Sequence, residues 1–307
     1  MRPDIKYIFF KALPLAAFFL SAFLLLSAAR PVRSPRPASA APALPRRIVC
    51  FSPAAAEVFF ALSAGERLAG VSDYCVYPEA VKKIPRVGGF YNPNFERLLA
   101  LSPDLVIVQG QHEKVADFCR SRKIPLIHVQ MDSLAGIRDG IFEIGRITGK
   151  AAPAKALWGG IQRDLDAVRA AVAGLPRTRV FLCVGRSPDG LNSINTAGGK
   201  SFVSELLTLA GGENIFADLT LPYPEAGKES LLTRAPEVIL ELRPGENLSA
   251  SRRARIIADW DEMGALPAVR NHRVLILTDE FLMLPGPRVG QAARVLARTL
   301  HPEVKLP

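Results

Sequence analysis

Glu96-Arg97-Leu98-Leu99-Ala100-Leu101-Ser102-Pro103-Asp104-Leu105-Val106-Ile107 is answered, 133 positions later, by Glu229-Ser230-Leu231-Leu232-Thr233-Arg234-Ala235-Pro236-Glu237-Val238-Ile239-Leu240. The glutamate, both leucines and the proline are identical, and the apolar run is reproduced conservatively. Each copy reads as a short helix, a proline that ends it, and a buried strand. The repeat predicts two similar lobes in one chain, each carrying an equivalent glutamate, with a binding cleft between them.

Both lobes alternate strands and helices. Apolar runs at 47–51, 68–71, 105–108 and 126–129 are separated by helical stretches at 52–62, 94–101, 113–122 and 133–148. Continuous apolar strands between helices predict a parallel sheet covered on both faces. A long helical segment at 151–173 follows, stopped by Gly174-Leu175-Pro176. The alternation then restarts with strands at 179–184, 238–242 and 274–277 and helices at 201–210, 252–263 and 288–300. The expected organisation is an N-terminal segment 1–40, a lobe at 41–148, a connecting helix within 149–175 and a second lobe at 176–307. A single rigid connecting helix predicts limited hinge bending.

The N-terminal segment reads as an export signal. Arg2, Lys6 and Lys11 precede a charge-free run from Leu13 to Ala29, and Ala38-Ser39-Ala40 follows. The apolar run is at the lower limit for spanning a bilayer, so an uncleaved anchor is the alternative. The expected location is the periplasm, either free or tethered to the inner membrane. Formal charge is +10, but residues 1–40 hold six of the 39 Lys and Arg and one of the 29 Asp and Glu. The modest, scattered surplus that is left does not predict a nucleic-acid surface.

Four cysteines remain after export. Cys50 and Cys183 lie inside apolar strands and read as core residues. Cys75 and Cys119 share the first lobe and are candidates for a disulfide, which an exported protein can form. No C-x-x-C pair supports a thiolate zinc site.

The aromatic loops carry the binding signal. Tyr74 and Tyr77 follow the second strand, Phe90-Tyr91 follows Gly88-Gly89, Tyr223 stands in Pro222-Tyr223-Pro224, and Phe281 follows the strand ending at Leu277. Loops after the carboxyl ends of parallel strands converge on the ligand crevice. Aromatics there suit a large, flat or hydrophobic molecule, although each ring has the alternative of packing on its own lobe. Glu96 and Glu229 have two readings as well. One is favourable interaction with the helix dipole; the other is a pair of outward carboxylates that dock to arginines on a partner.

Other chemistry is poorly supported. Ala197-Gly198-Gly199-Lys200-Ser201 resembles the end of a phosphate loop, but Ile194 stands where the first glycine is required. A helix start capped by Ser201 is the ordinary reading, and Gly88-Gly89 and Gly211-Gly212 read as turns. His112, His128, His272 and His301 form no i, i+4 pair, so a metal site would need distant loops. No nucleophile elbow or zinc-protease helix is present. An exported enzyme would have to draw on scattered groups such as Asp73 and Glu280, and a membrane-tethered sensor is a further rival.

The chain resembles the periplasmic substrate-binding proteins of cobalamin, ferric-siderophore and haem ABC importers. The resemblance spans roughly 46–302 and rests on Ile48-Val49-Cys50-Phe51-Ser52-Pro53 with Glu57, and on Val71-Ser72-Asp73-Tyr74-Cys75-Val76-Tyr77-Pro78. It continues through Val87-Gly88-Gly89-Phe90-Tyr91-Asn92-Pro93-Asn94 into Glu96, through Ala210-Gly211-Gly212-Glu213-Asn214, and through Pro285-Gly286-Pro287-Arg288. It implies two Rossmann-like lobes joined by one long helix, a class III periplasmic binding protein. It also implies permease docking by Glu96 and Glu229, and a monomer that works with an ABC permease and its ATPase subunits. The Asp73-Tyr74-Cys75 loop, the Pro-aromatic-Pro at Tyr223 and the closing Pro-Gly-Pro-Arg are most similar to the cobalamin branch, where rings from both lobes sandwich the corrin. On that resemblance Ser52, Pro53, Tyr74, Phe90, Tyr91, Tyr223 and Phe281 are expected to contact a corrinoid. A ferric chelate would use Arg186, and haem would use Tyr74 or Tyr91 as axial ligand. The ligand is cargo, so no catalytic cofactor or resident metal is expected.

Overall fold

The computed structural model describes residues 43–306 apart from position 189. The expected export signal and its alternative, an uncleaved anchor, both fall within 1–40 and lie outside the described residues. Among the described residues no helix is long and apolar enough to cross a membrane.

The first lobe is a four-stranded parallel sheet. Strand β1 (Ile48–Cys50) leads into helix α1 (Pro53–Ala61), capped by Ser52, whose hydroxyl accepts the Ala55 N–H at 3.0 Å, with Pro53 in the first turn. Then come β2 (Leu68–Val71), α2 (Phe95–Ala100), β3 (Leu105–Gln109), α3 (Glu113–Ser121), β4 (Leu126–Val129) and α4 (Leu134–Thr148). The strand order is β2-β1-β3-β4. Helix α4 ends at Gly149, whose φ of 71° is the left-handed conformation that closes a helix.

Helix α5 (Ala151–Ala171) connects the lobes with 21 residues, about 30 Å at the usual rise. The second lobe contains β5 (Thr178–Gly185), β6 (Asn195–Thr196), α6 (Phe202–Leu209), β7 (Gly212–Asn214) and α7 (Lys228–Arg234). It continues with β8 (Val238–Leu242), α8 (Ala250–Ala258), α9 (Pro267–Arg270), β9 (Val274–Leu277) and α10 (Val289–Leu300). One edge of β5 is shared: its first half pairs parallel with β7 and its second half antiparallel with β6. With β8 and β9 on the other side, the parallel order β7-β5-β8-β9 repeats β2-β1-β3-β4.

The sequence repeat is therefore a repeat of structure, down to its fastenings. Helices α2 and α7 are each followed by a residue in the left-handed region before the proline, Ser102 at φ 44° and Ala235 at φ 42°. Asp104 accepts the backbone N–H of Arg47 at 3.0 Å, and Glu237 accepts that of Arg179 at 2.9 Å. The Arg47 guanidinium bonds the Leu101 carbonyl at the end of α2, and the Arg179 guanidinium bonds the Arg234 carbonyl at the end of α7. Each lobe thus ties the start of its first strand to the loop before the strand that pairs beside it, β3 in one and β8 in the other.

A continuous apolar core runs from one lobe to the other. Ile48, Phe59, Ile107 and Ile141 of the first lobe belong to the same buried cluster as Leu165 of α5 and Leu182, Phe202, Leu240 and Leu296 of the second. Two glycines allow the close approach this needs. A Cβ on Gly145 of α4 would lie 2.5 Å from the Ala154 Cβ of α5, and one on Gly290 of α10 would lie 2.8 Å from the Asp164 Cβ.

Two expectations need correction. Gly211-Gly212 is a turn only at Gly211, with φ 85°, because Gly212 begins strand β7. Cys75 and Cys119 form no disulfide: both are buried free thiols, in clusters on different faces of the first sheet. Cys50 and Cys183 are core residues, 0% exposed. Burial raises all four thiol pKa values, those of Cys75 and Cys183 to about 12.

Two outcomes follow from this packing. Gly145→Ala should cost about 1–3 kcal/mol in urea denaturation by forcing α4 away from α5. Gly159→Ala on the open side of α5, where the new Cβ meets only an arginine side chain at 3.7 Å, should gain up to about 1 kcal/mol. Equal stability of the Gly145→Ala protein would remove the close helix contact. Thiol titration without reductant at pH 8 should find a largely unreactive native protein and four reactive thiols after unfolding; two reactive thiols would restore the disulfide.

Candidate functional site

The carboxyl ends of both sheets open onto the cleft between the lobes. A cavity of about 670 Å³ is walled on one side by Pro53, Glu57, Tyr74, Val76 and Tyr77 and on the other by Pro244, Gly245, Glu280, Met283, Leu284 and Arg288. A second hollow of about 270 Å³ shares Pro53, Tyr74 and Leu284 with it and adds Phe51, Ser52, Phe90, Gln109, His112 and Asp132. Asp132 continues into a third, of about 440 Å³, where Gln130 and Ser133 face Lys200 and Glu205. These form a groove with an aromatic and apolar middle and a charged group at either end.

At one end the lobes are tied by an ion pair. Glu57 is the only charged residue of α1 and is 4% exposed. Arg288, just before α10, grips it with two parallel bonds of 2.9 and 2.5 Å, a fork-to-fork geometry. The third guanidinium nitrogen donates to Glu280 at 2.6 Å. The cation lies 4.0 Å from the Tyr77 ring centre, contributed by the first lobe, and 5.3 Å from that of Phe281, contributed by the second. Burial pushes the Glu57 carboxyl up against the opposing pull of Arg288, and the two carboxylates hold the Arg288 pKa above its usual value against burial. Toward the other end, Glu205 of α6 accepts the N–H of Leu134 at 3.0 Å, so the second lobe caps the first turn of α4.

The middle brings four of the expected residues together. Ser52 is 2% exposed and its hydroxyl donates to Gln109 at 2.7 Å, which leaves Pro53 as the surface that loop offers. Tyr74 is 57% exposed and Phe90 37% exposed. Phe90 meets His112 edge to face, with ring centres 4.5 Å apart. The His112 pKa is pushed down by burial and by His128, and its Nδ1 is a buried atom without a hydrogen-bond partner. Tyr91 lies beside Phe90 in a separate hollow of about 210 Å³ formed within the first lobe.

From the second lobe, Tyr223 keeps an exposed ring. Enclosure of its hydroxyl end raises the phenol pKa, and the Asp132 carboxylate of the first lobe raises it further. Phe90 and Tyr223 are themselves 133 positions apart, so the repeat places one ring in each lobe at the same point. Phe281 is half-buried and packs on the shared core beside Arg288.

Arg186 requires correction. Its guanidinium is 1% exposed, bound to Glu241 at 3.0 Å, Asp259 at 2.9 Å and the carbonyls of Gly190 and Ile256. Glu241 sits in the buried strand β8, and its charge draws in Arg186, Arg243 and the Trp260 indole N–H. The arginine faces the interior of its lobe and has no surface for a chelate.

Glu96 and Glu229 each occupy the second position of a short helix, both exposed. Neither carboxylate joins an ion pair among the described residues; Lys228, next to Glu229, is engaged by Glu262. Among the described residues no group of three His, Cys, Asp or Glu is arranged to hold a metal ion.

Sequence reasoning missed the Glu57–Arg288 tie as an interaction. The available signal was a lone glutamate in an otherwise apolar helix, which needs a cation brought from elsewhere.

A family model described as periplasmic binding protein matches residues 48–281. A vitamin B12-binding protein of Vibrio parahaemolyticus is 28% identical over 248 residues, covering 80% of this chain and 86% of its own. Among solved structures, the periplasmic vitamin B12 binding protein of Vibrio cholerae aligns with TM-score 0.70 at 27% identity, over 83% of this chain and 96% of that one. The periplasmic heme-binding protein BhuT, in complex with two hemes, also aligns at 0.70, with 26% identity over 83% and 97%.

Arg288→Ala should cost about 3–5 kcal/mol at neutral pH, because it strands a buried carboxylate. The folded-state pKa of Glu57 would then lie well above its unfolded value, so the loss should shrink as pH falls through the carboxylate range. Denaturant titrations at pH 7 and pH 5 measure both; a loss that does not depend on pH would place the cost elsewhere than Glu57.

Proposed function

The chain belongs to the periplasmic binding protein family, and on that premise we propose that it captures a corrinoid in the interlobe cleft and hands it to an ABC permease. The observation that carries this reading is the groove itself. Its aromatic middle has Tyr74 and Phe90 on the first-lobe wall and Leu284 of the second lobe across from them, and Tyr223 of the second lobe keeps an exposed ring whose phenol feels the Asp132 carboxylate of the same hollow. A flat macrocycle buries both faces when rings approach it from opposite walls. The names of the vitamin B12-binding relatives support the same choice of ligand.

The proposed task makes and breaks no covalent bond. The ligand enters between Tyr74, Phe90 and Tyr223, and the loaded protein then presents Glu96 and Glu229 to arginines of the permease. Exposed carboxylates of this kind favour orientation and association rate. ATP is hydrolysed by a separate subunit. The N-terminal segment delivers the protein to the periplasm.

Purified protein incubated with cyanocobalamin, a ferric siderophore or haem, then desalted, should retain the corrinoid spectrum. Retention of haem or the ferric chelate alone would replace the corrinoid reading by one of its family alternatives. Tyr223→Ala and Phe90→Ala should each weaken cyanocobalamin binding by about 1–3 kcal/mol; unchanged dissociation constants would remove these rings from the site.

A further inference from the structure

We propose that each lobe docks through a carboxylate and an apolar anchor together: Leu99 beside Glu96, and Leu232 beside Glu229. This rests on the docking role proposed above for the two glutamates and adds what holds the docked complex together. The partner it fits is a membrane protein that presents, twice, a basic side chain next to an apolar hollow.

The two adjacent leucines of each repeat copy face different ways. Leu98 and Leu231 are both 0% exposed and fasten their helices to the lobe cores. Leu99 and Leu232, the next residues, are 39% and 45% exposed. Each stands three positions after its glutamate, which puts the two side chains on one helical face as neighbours.

A single exposed leucine means nothing by itself. Here the same exposure recurs at the same position of both lobes, while the other surface positions of the helix have diverged. Arg97 corresponds to Ser230 and Ala100 to Thr233. What the two copies keep in common on the outside is the glutamate and the leucine. Most other exposed large apolar residues among those described, Tyr74, Val76, Tyr77, Phe90 and Tyr223 included, lie on loops after the strand ends. The leucine pair stands apart from that group.

The division of labour is physical. Exposed carboxylates act at long range and set the rate of encounter. A leucine acts only on contact and lengthens the life of the complex once water has been displaced. The two kinds of variant therefore differ kinetically.

Binding of the full-length protein to its permease in nanodiscs, followed in real time, tests the proposal. Leu99→Ser with Leu232→Ser should speed dissociation roughly tenfold or more, with the association rate and cyanocobalamin affinity kept within about twofold. Glu96→Gln with Glu229→Gln should instead slow association and flatten its salt dependence. If the leucine variant dissociates at the parental rate while the glutamate variant fails to dock, the anchors are wrong and the docking helices stand. If neither variant changes either rate, the docking role of both helices falls, and the anchors with it.

Discussion

The apolar core that passes from one sheet through α5 to the other governs how this protein can work. Leu165 and Val168 of α5 are buried in the same cluster as strand residues of both lobes. Gly145 and Gly290 let α4 and α10 lie directly against that helix. Wide separation of the lobes would have to expose this surface, at about 25 cal/mol for every Å². The Arg288–Glu57 fork and the Glu205 cap on α4 reinforce the same geometry from two directions. The cleft walls are consequently set by folding, and adjustment to a ligand falls to the side chains on the loops at the strand ends.

Much of this was legible in the sequence because it is built from long-lived patterns. Continuous apolar runs such as Leu105 to Val108 and Val238 to Leu240 announce buried parallel strands, and the repeated proline announces where the preceding helix stops. What escaped was short and polar. Strand β7 is Gly-Glu-Asn and strand β6 is Asn-Thr, neither with an apolar period to read. Both exist because β5, at eight residues, offers more edge than either partner covers alone. That is a property of the assembled sheet.

The site divides along the same line. The placing of Tyr74 and Phe90 on the cleft wall was legible because a loop after a parallel strand has one place to go. Arg186 occupies just such a position and goes elsewhere. Its destination is fixed by Glu241, 55 positions away and buried on β8. A charge inside a strand is the stronger constraint, since leaving it unpaired costs more than any surface contact returns. Glu57 acts in the same way on Arg288, 231 positions later. Long-range pairings of buried charges carry no local pattern, although each lone buried glutamate marks where a cation must arrive.

The two copies of the repeat hold their rings by different means. In the first lobe the loop after Phe90 closes with the Gly88–Pro93 bridge, and Asn94 caps α2 by accepting the Arg97 N–H at 2.9 Å. In the second lobe Gly227 stands at the cap position and no side chain serves as cap. Instead Pro222 and Pro224 flank Tyr223, and their carbonyls accept the N–H groups of Gly198 and Thr196, both at 2.9 Å. One loop is fixed by a hydrogen-bonded cap, the other by prolines of restricted φ and a strip of backbone pairing. Both routes fix the loop backbone beneath the ring, which limits the conformational entropy that a ligand bound there would remove. In each lobe the same short segment then runs from the ring to the repeated glutamate six residues on, Phe90 to Glu96 and Tyr223 to Glu229. On the docking role proposed for the two glutamates, a ligand that presses on either ring acts on a segment whose far end is the helix that meets the permease.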